Sequence, residues 1–321
     1  MKYRFFSGSL AVLLIAALML SLWGCGPKQE KPLVGIAWRA DTTASSCVNT
    51  FRCIEAAGGT PVLLDQVMAR KPSYDEKGRL VNAADAVGAL STEAAEAVKE
   101  GSWQDSNAKK VMKGISAVVF TGGEDISPSL YRVPESWHGI FEEINYNASR
   151  DVSDYLLMAY CLDNDVPVLG ICRGMQMMAV AGGADMIQDI PSYFASLGRS
   201  YDHTHRYVPG TPEPERDYVT HDVVVKEESL AFSVTGLSTL TGCPSLHHQA
   251  VKDVVDSGFI VSGTAQVSGE DMIEMIEHPG MRFCLGLQFH PEAALDREGK
   301  EGFMSEETAL TFFSGLIDAI Q

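Results

Sequence analysis

The chain has 321 residues, 45% of them hydrophobic and 21% charged, enough apolar material for one large α/β core or two smaller domains. Its 25 basic and 42 acidic side chains give a formal charge of -17, which argues against a polyanion-binding surface and removes nucleic acid from the expected partners. The seven cysteines lack the regular spacing of a disulfide-stapled scaffold, so that class is excluded too.

Residues 1–24 begin with Lys2 and Arg4 and continue into an apolar run over 10–20, the pattern of a signal peptide rather than of a domain helix. Residues 25–32 read as a short tether, and 33–321 as a single domain. Within it, 33–38 reads as a strand, 44–57 as a helix stopped by Gly58 and Gly59, and 60–64 as a second strand. Strand, helix and strand at this spacing mean a parallel sheet.

Residues 65–114 are long for a connection. They hold an amphipathic helical pattern over 90–100 and a polar stretch from Pro72 to Arg79, and read as a solvated surface insertion without chemistry. A third strand over 116–120 runs into Thr121, Gly122 and Gly123, whose glycines let backbone amides face a cleft as an oxyanion hole requires. A helix over 145–163 carries Arg150 and Asp151.

The run 166–171 is apolar and β-branched, a buried strand, and 173–180 has helix-forming composition. Cys172 therefore sits in a strand-to-helix turn, with Gly170 and Gly174 two residues to either side, the spacing of a nucleophile elbow. The helix N-terminus beneath such a turn favours a thiolate. Beyond it, 185–190 reads as a short strand and 193–216 as a loop. That loop contains His203 and His205, for which no third ligand is evident nearby, so no metal is predicted.

Strands are expected at 221–226, within 237–253, and at 259–265, 272–277 and 283–290, in an antiparallel portion, followed by a closing amphipathic helix over 308–320. The last strand ends in His290, Pro291 and Glu292. A cysteine nucleophile needs a base, and that base needs an acceptor on its other nitrogen. His290 and Glu292 supply both. Cys161 and Cys284, in apolar stretches, read as buried hydrophobes, and a bridge between Cys47 and Cys53 is left open.

The Gly-x-Cys-x-Gly-x-Gln run at 170–176, taken with His-Pro-Glu at 290–292, resembles the class I glutamine amidotransferase superfamily. Three stretches are closest to its γ-glutamyl-γ-aminobutyrate hydrolase-like branch: Gly-Gly-Glu-Asp-Ile-Ser-Pro-Ser-Leu-Tyr at 122–131, Ile-Cys-Arg-Gly-Met-Gln at 171–176, and Ser-Leu-His-His-Gln-Ala-Val at 245–251. Two departures stand out: Arg173 where the usual amidotransferase elbow is apolar, and Pro244 where the branch usually has Asn.

The resemblance implies a three-layer α-β-α, flavodoxin-like fold with a mostly parallel central sheet and an antiparallel C-terminal portion. It implies Cys172 as nucleophile, His290 as base and Glu292 as its orienting group, with the backbone amides of Gly123 and Arg173 holding the oxyanion. Gly122, Gln176, Ser245 and His247 would contact substrate, and neither cofactor nor metal is called for. The expected activity is hydrolysis of γ-glutamyl amides of small molecules. The alternatives are a glutaminase passing ammonia to a partner and a non-catalytic lipoprotein binding a γ-glutamyl ligand. Leu22, Gly24 and Cys25 also resemble a bacterial lipoprotein signal, with Trp23 a bulky departure from it. That resemblance implies acylation of Cys25 and an exported, membrane-anchored, extracytoplasmic protein. The oligomeric state is left open, a homodimer among the arrangements.

Overall fold

The structure, a computed structural model, describes residues 30–134, 137, 139, 143–212, 215–297 and 299–320. The expectations placed on residues 1–24 and on Cys25 lie outside the described residues. Pro32–Gln321 form one compact unit.

The chain opens with β1 (Leu33–Ile36), α1 (Ser45–Ala56) and β2 (Thr60–Leu63), and β1 pairs in parallel with β2. After the insertion, which carries α2 (Thr92–Gly101) and α3 (Ala108–Val111), come β3 (Ala117–Phe120) and α4 (Ala148–Asp163). Then follow β4 (Val168–Ile171), α5 (Arg173–Ala181), β5 (Asp185–Ile187), α6 (Ile190–Ser196), β6 (Val219–Val225) and α7 (Leu230–Thr235). The last part is β7 (Thr239–Ser245), β8 (Ala250–Asp253), β9 (Ile260–Val267), β10 (Glu270–Glu277), β11 (Cys284–Leu287) and α8 (Glu306–Asp318).

Nine strands form one sheet in the order β2-β1-β3-β4-β11-β10-β9-β6-β7. The run β2-β1-β3-β4-β11 is parallel, and from β11 outward every pairing is antiparallel. The inner parallel strands are apolar at every position because both faces are covered. Val118, Phe120 and Val168 pack with Leu156, Leu157 and Met175 on one face. Ala117, Val119, Leu169 and Ile171 pack with Ile54, Phe312, Phe313 and Leu316 on the other. The period of two along each strand thus feeds two separate cores, and the architecture is the expected three-layer α-β-α.

Three expectations are corrected by the structure. The strand at 185–190 is shorter and lies outside the main sheet, since β5 pairs antiparallel with β8 in a two-stranded sheet of its own. The chain then turns helical in α6, where a loop is expected from Tyr193: Asp189 caps it by accepting from the Ser192 amide at 2.9 Å, and Pro191 falls in its tolerant first turn. Helix α7, not anticipated at all, is capped by Ser229 and closed by Gly236 in the left-handed conformation.

The insertion is not a solvated loop. Two turns ten residues apart repeat one design: Asp75 Oδ1 accepts from the amides of Lys77 and Arg79, and Asp85 Oδ1 accepts from those of Val87 and Ala89. Gly78 and Gly88 take positive φ in the two turns. Serine hydroxyls outside the insertion then accept its backbone amides: Ser153 from Val67, Ser149 from Leu80 and Ser127 from Leu90. Leu64, Val67, Leu90, Val98, Trp103 and Met112 join the same core as α4 and α5. Cys47 and Cys53, both buried, are free, so no bridge joins them.

Because Leu90 is 3% exposed, Leu90→Ala should cost about 2–4 kcal/mol in urea unfolding, with the denaturant slope unchanged. A loss below about 0.5 kcal/mol would restore the solvated-loop reading.

Candidate active site

Strand β4 delivers Cys172 to the carboxyl edge of the sheet, and the turn there is strained. Cys172 has φ 51° and ψ -107°, a conformation that a residue with a side chain adopts only when its surroundings force it. The Cys172 amide donates to the Leu287 carbonyl at 2.7 Å, and its own carbonyl accepts from the Gln176 amide at 3.1 Å. The flanking glycines are required by close approach. A Cβ on Gly170 would stand 2.7 Å from the Gly174 carbonyl carbon, and one on Gly174 would run into the Phe120 carbonyl oxygen.

Strand β11 lies in parallel beside β4, with Leu287 opposite Ile171, so both strands end at the same edge. Three residues later His290 donates its amide to the Pro244 carbonyl at 2.8 Å, and its Nδ1 stands 2.8 Å from Glu292 Oε1. Gly122 is where the three segments meet: a Cβ there would be 2.6 Å from His290 Cε1 and 3.5 Å from the Cys172 Cβ. Burial works against charge on His290, yet Tyr218, Glu292 and a hydrogen bond with Cys172 outweigh it and hold the imidazole well above its ordinary pKa. Tyr218 meets the His290 ring edge-on at 5.1 Å.

The two expected oxyanion donors are braced from behind. Arg173 supplies the first amide of α5, one of those no carbonyl of its own helix reaches. Its guanidinium points into the interior, onto Asp151 at 2.6 Å and Asp154. Arg150 is equally buried, and its Nη2 donates to the carbonyls of Thr121 and Gly122 at 3.0 Å each. The same guanidinium pairs with Glu124, and a Cβ on Gly123 would collide with it. Burial would raise the Glu124 carboxyl, but Arg150 and Arg173 prevail and hold it at about 2.

Three of the expected substrate contacts make hydrogen bonds within the protein. Gln176 Nε2 donates to the Gln249 carbonyl at 3.1 Å and to Gln288 Oε1 at 3.2 Å. Ser245 Oγ donates to the His205 carbonyl at 3.0 Å. His247 is buried, its Nδ1 2.8 Å from the Gln249 carbonyl and its Nε2 3.6 Å from Glu274. Nor do His203 and His205 act together: His203 lies against the Tyr201 ring, while His205 faces Glu274 at 3.1 Å. Beside this cluster, His248 reaches Asp125 at 3.0 Å and Asp189 at 3.4 Å. Burial opposes its charge, but the two carboxylates push it up to about 9.

Sequence reasoning left out Tyr218, the Pro244 carbonyl, and the roles of Arg150 and Glu124. Only Arg150 carried a signal, as an arginine beside an aspartate on an otherwise core-facing helix.

The profile of the peptidase C26 family matches residues 79–292. A Mycobacterium tuberculosis protein whose name gives it provisionally as a glutamine amidotransferase is 32% identical over 216 residues, covering 65% of this chain and 57% of its own. The Enterococcus hirae protein NtpR is 31% identical over 179 residues, 56% of this chain and 67% of its own. The γ-glutamyl-γ-aminobutyrate hydrolase of Escherichia coli O157:H7 is 28% identical over 169 residues, 51% of this chain and 63% of its own. The chain thus spans little more than half of the mycobacterial relative.

The depressed carboxyl of Glu124 predicts an acid-limb effect. Its contribution is present above its ordinary value of 4.5 and is lost as pH falls from there toward about 2. Urea unfolding at stepped pH should therefore show stability falling more steeply in the wild type than in Glu124→Gln between about pH 5 and pH 3. Parallel curves would mean the pair with Arg150 contributes nothing.

Proposed function

The chain belongs to the peptidase C26 family and to the class I glutamine amidotransferase-like superfamily, an amide hydrolase or amidotransferase by kind, and we propose that its own reaction is hydrolysis of γ-glutamyl amides through a thioester on Cys172. The observation that carries this reading is the meeting of Cys172, His290 and Glu292 around Gly122 at one edge of the sheet. The Escherichia coli relative supports γ-glutamyl specificity within it.

The chemistry follows from the positions. Cys172 Sγ attacks the γ-carbonyl carbon while its proton resides on His290. Charge develops on the carbonyl oxygen, which the amides of Gly123 and Arg173 receive, each lowering the barrier by about 3 kcal/mol if aligned. Collapse breaks the C–N bond, and His290 gives its proton to the leaving amine. Water then attacks the thioester with His290 as base, releasing glutamate and the free thiol. Glu292 holds the imidazole with Nε2 toward sulfur throughout, and its carboxylate beside Nδ1 supports the imidazolium stages.

Export through residues 1–24 and acylation at Cys25 complete the proposal and would put the reaction outside the cytoplasm.

On a panel holding glutamine, γ-glutamyl-aminobutyrate and α-glutamyl amides, only the γ-linked members should be cleaved. Cys172→Ala should lower the rate by at least about 10³-fold and Glu292→Gln by about 10²–10⁴-fold. Unchanged cleavage in Cys172→Ala, or binding without cleavage in the wild type, would sink the hydrolase reading. Separately, labelling with a fatty acid should mark the wild type and not Cys25→Ser, and an unlabelled wild type would remove the lipid anchor.

A further inference from the structure

A second cluster of chemically active side chains lies outside the machinery above. His205, His221 on β6, His247 after β7 and Glu274 on β10 come from four segments, and their inward atoms all lie within 4.8 Å of one another. His205 Nε2 and His247 Nε2 stand 3.1 and 3.6 Å from Glu274 Oε1, and His221 Nε2 stands 3.5 Å from Glu274 Oε2. His205 and Glu274 are fully buried, and His247 is 4% exposed.

The outer nitrogens decide what the inner ones present. His247 Nδ1 faces the Gln249 carbonyl at 2.8 Å and His221 Nδ1 faces the Asp222 carbonyl at 3.4 Å, and a carbonyl can only accept. The Thr204 hydroxyl spends its proton on Asp202 at 3.0 Å, so at 2.9 Å it accepts from His205 Nδ1. Each ring therefore carries its proton on Nδ1 and turns the lone pair of Nε2 toward Glu274. All three Nε2 atoms and both Glu274 oxygens are buried without a hydrogen-bond partner. Three lone pairs facing a dry carboxylate repel one another unless a cation stands between them.

We propose that His205, His221, His247 and Glu274 are a four-ligand site for a divalent transition metal, zinc by preference. Tetrahedral zinc with bonds of about 2.1 Å keeps its ligand atoms about 3.4 Å apart, close to the three separations above. An oxygen or hydroxyl acceptor behind each ring is the support that fixes a ligating imidazole in its tautomer. With all four positions filled by protein, the site is structural. It ties the 201–207 loop to β6, β7 and β10, and two of these hold the backbone next to the candidate base. Pro244 beside Ser245 accepts from the His290 amide, and the Glu274 carbonyl accepts from the Gln288 amide at 2.8 Å. The site stands independently of the hydrolase reading.

The full-length chain, purified and dialysed exhaustively against metal-free buffer, should keep about one equivalent of zinc by elemental analysis. Stripping with a strong chelator should lower Tm by at least about 5 °C, and zinc should restore it. Cobalt in place of zinc should give the intense visible bands of a tetrahedral ion, and Glu274→Gln and His247→Gln should each lose the bound ion. If a variant does not fold, the wild-type cobalt spectrum and reconstitution stand in its place. Zinc below about a tenth of an equivalent before and after reconstitution, with no cobalt bands and no shift in Tm, would overturn the site. So would an ion retained in both variants.

Discussion

Two guanidinium groups buried behind the strand-to-helix turn set the terms for the whole carboxyl edge. Arg150 and Arg173 have side chains only 1% exposed, and an uncompensated charge at such depth costs several kcal/mol. Asp151, Asp154 and Glu124 supply the compensation. The same contacts fix geometry, because Arg150 grips the Thr121 and Gly122 carbonyls while Arg173 begins the helix that follows Cys172. Both candidate oxyanion donors are thus positioned by one ion cluster. Neither loop can shift without exposing or stranding a charge.

The change from parallel to antiparallel pairing does a second job. Strand β11 is the last to join the parallel run and the first to take an antiparallel neighbour. That double role lets His290 emerge beside Cys172 while its backbone is gripped by Pro244, at the end of the outermost antiparallel strand. The parallel half presents Cys172, and the antiparallel half clamps His290. The strain at Cys172 persists because hydrogen bonds from both directions over-determine the turn.

What the sequence made legible was what short-range chemistry dictates. Apolar runs such as 166–171 and 283–290 announce buried strands, and glycines at 170 and 174 announce a turn that tolerates no side chain. Where side chains point after folding was not legible. Arg173 reads as an odd residue at the elbow, and only the aspartates of α4 explain it. Ser245 and His247 share a stretch with the motif, but the irregular pairing of β6 with β7 between His221 and Val223 belongs to a strand surface whose partners no local window names. Helix α6 hid behind Pro191, which suits a first turn as well as a loop. His205 lacked a visible third ligand because its neighbours arrive from β6, β7 and β10.

The twin aspartate turns of the insertion bear on how such a chain changes length. Each turn is closed by its own aspartate and spanned by its own bridge, Tyr74 to Leu80 and Ala84 to Leu90. Each also has a separate serine from outside to receive it, Ser149 for one and Ser127 for the other. The two are therefore copies of one ten-residue design seated at two different places. Removing either turn would leave its own serine hydroxyl without the amide it accepts, and removing the second would also take Leu90 out of the core.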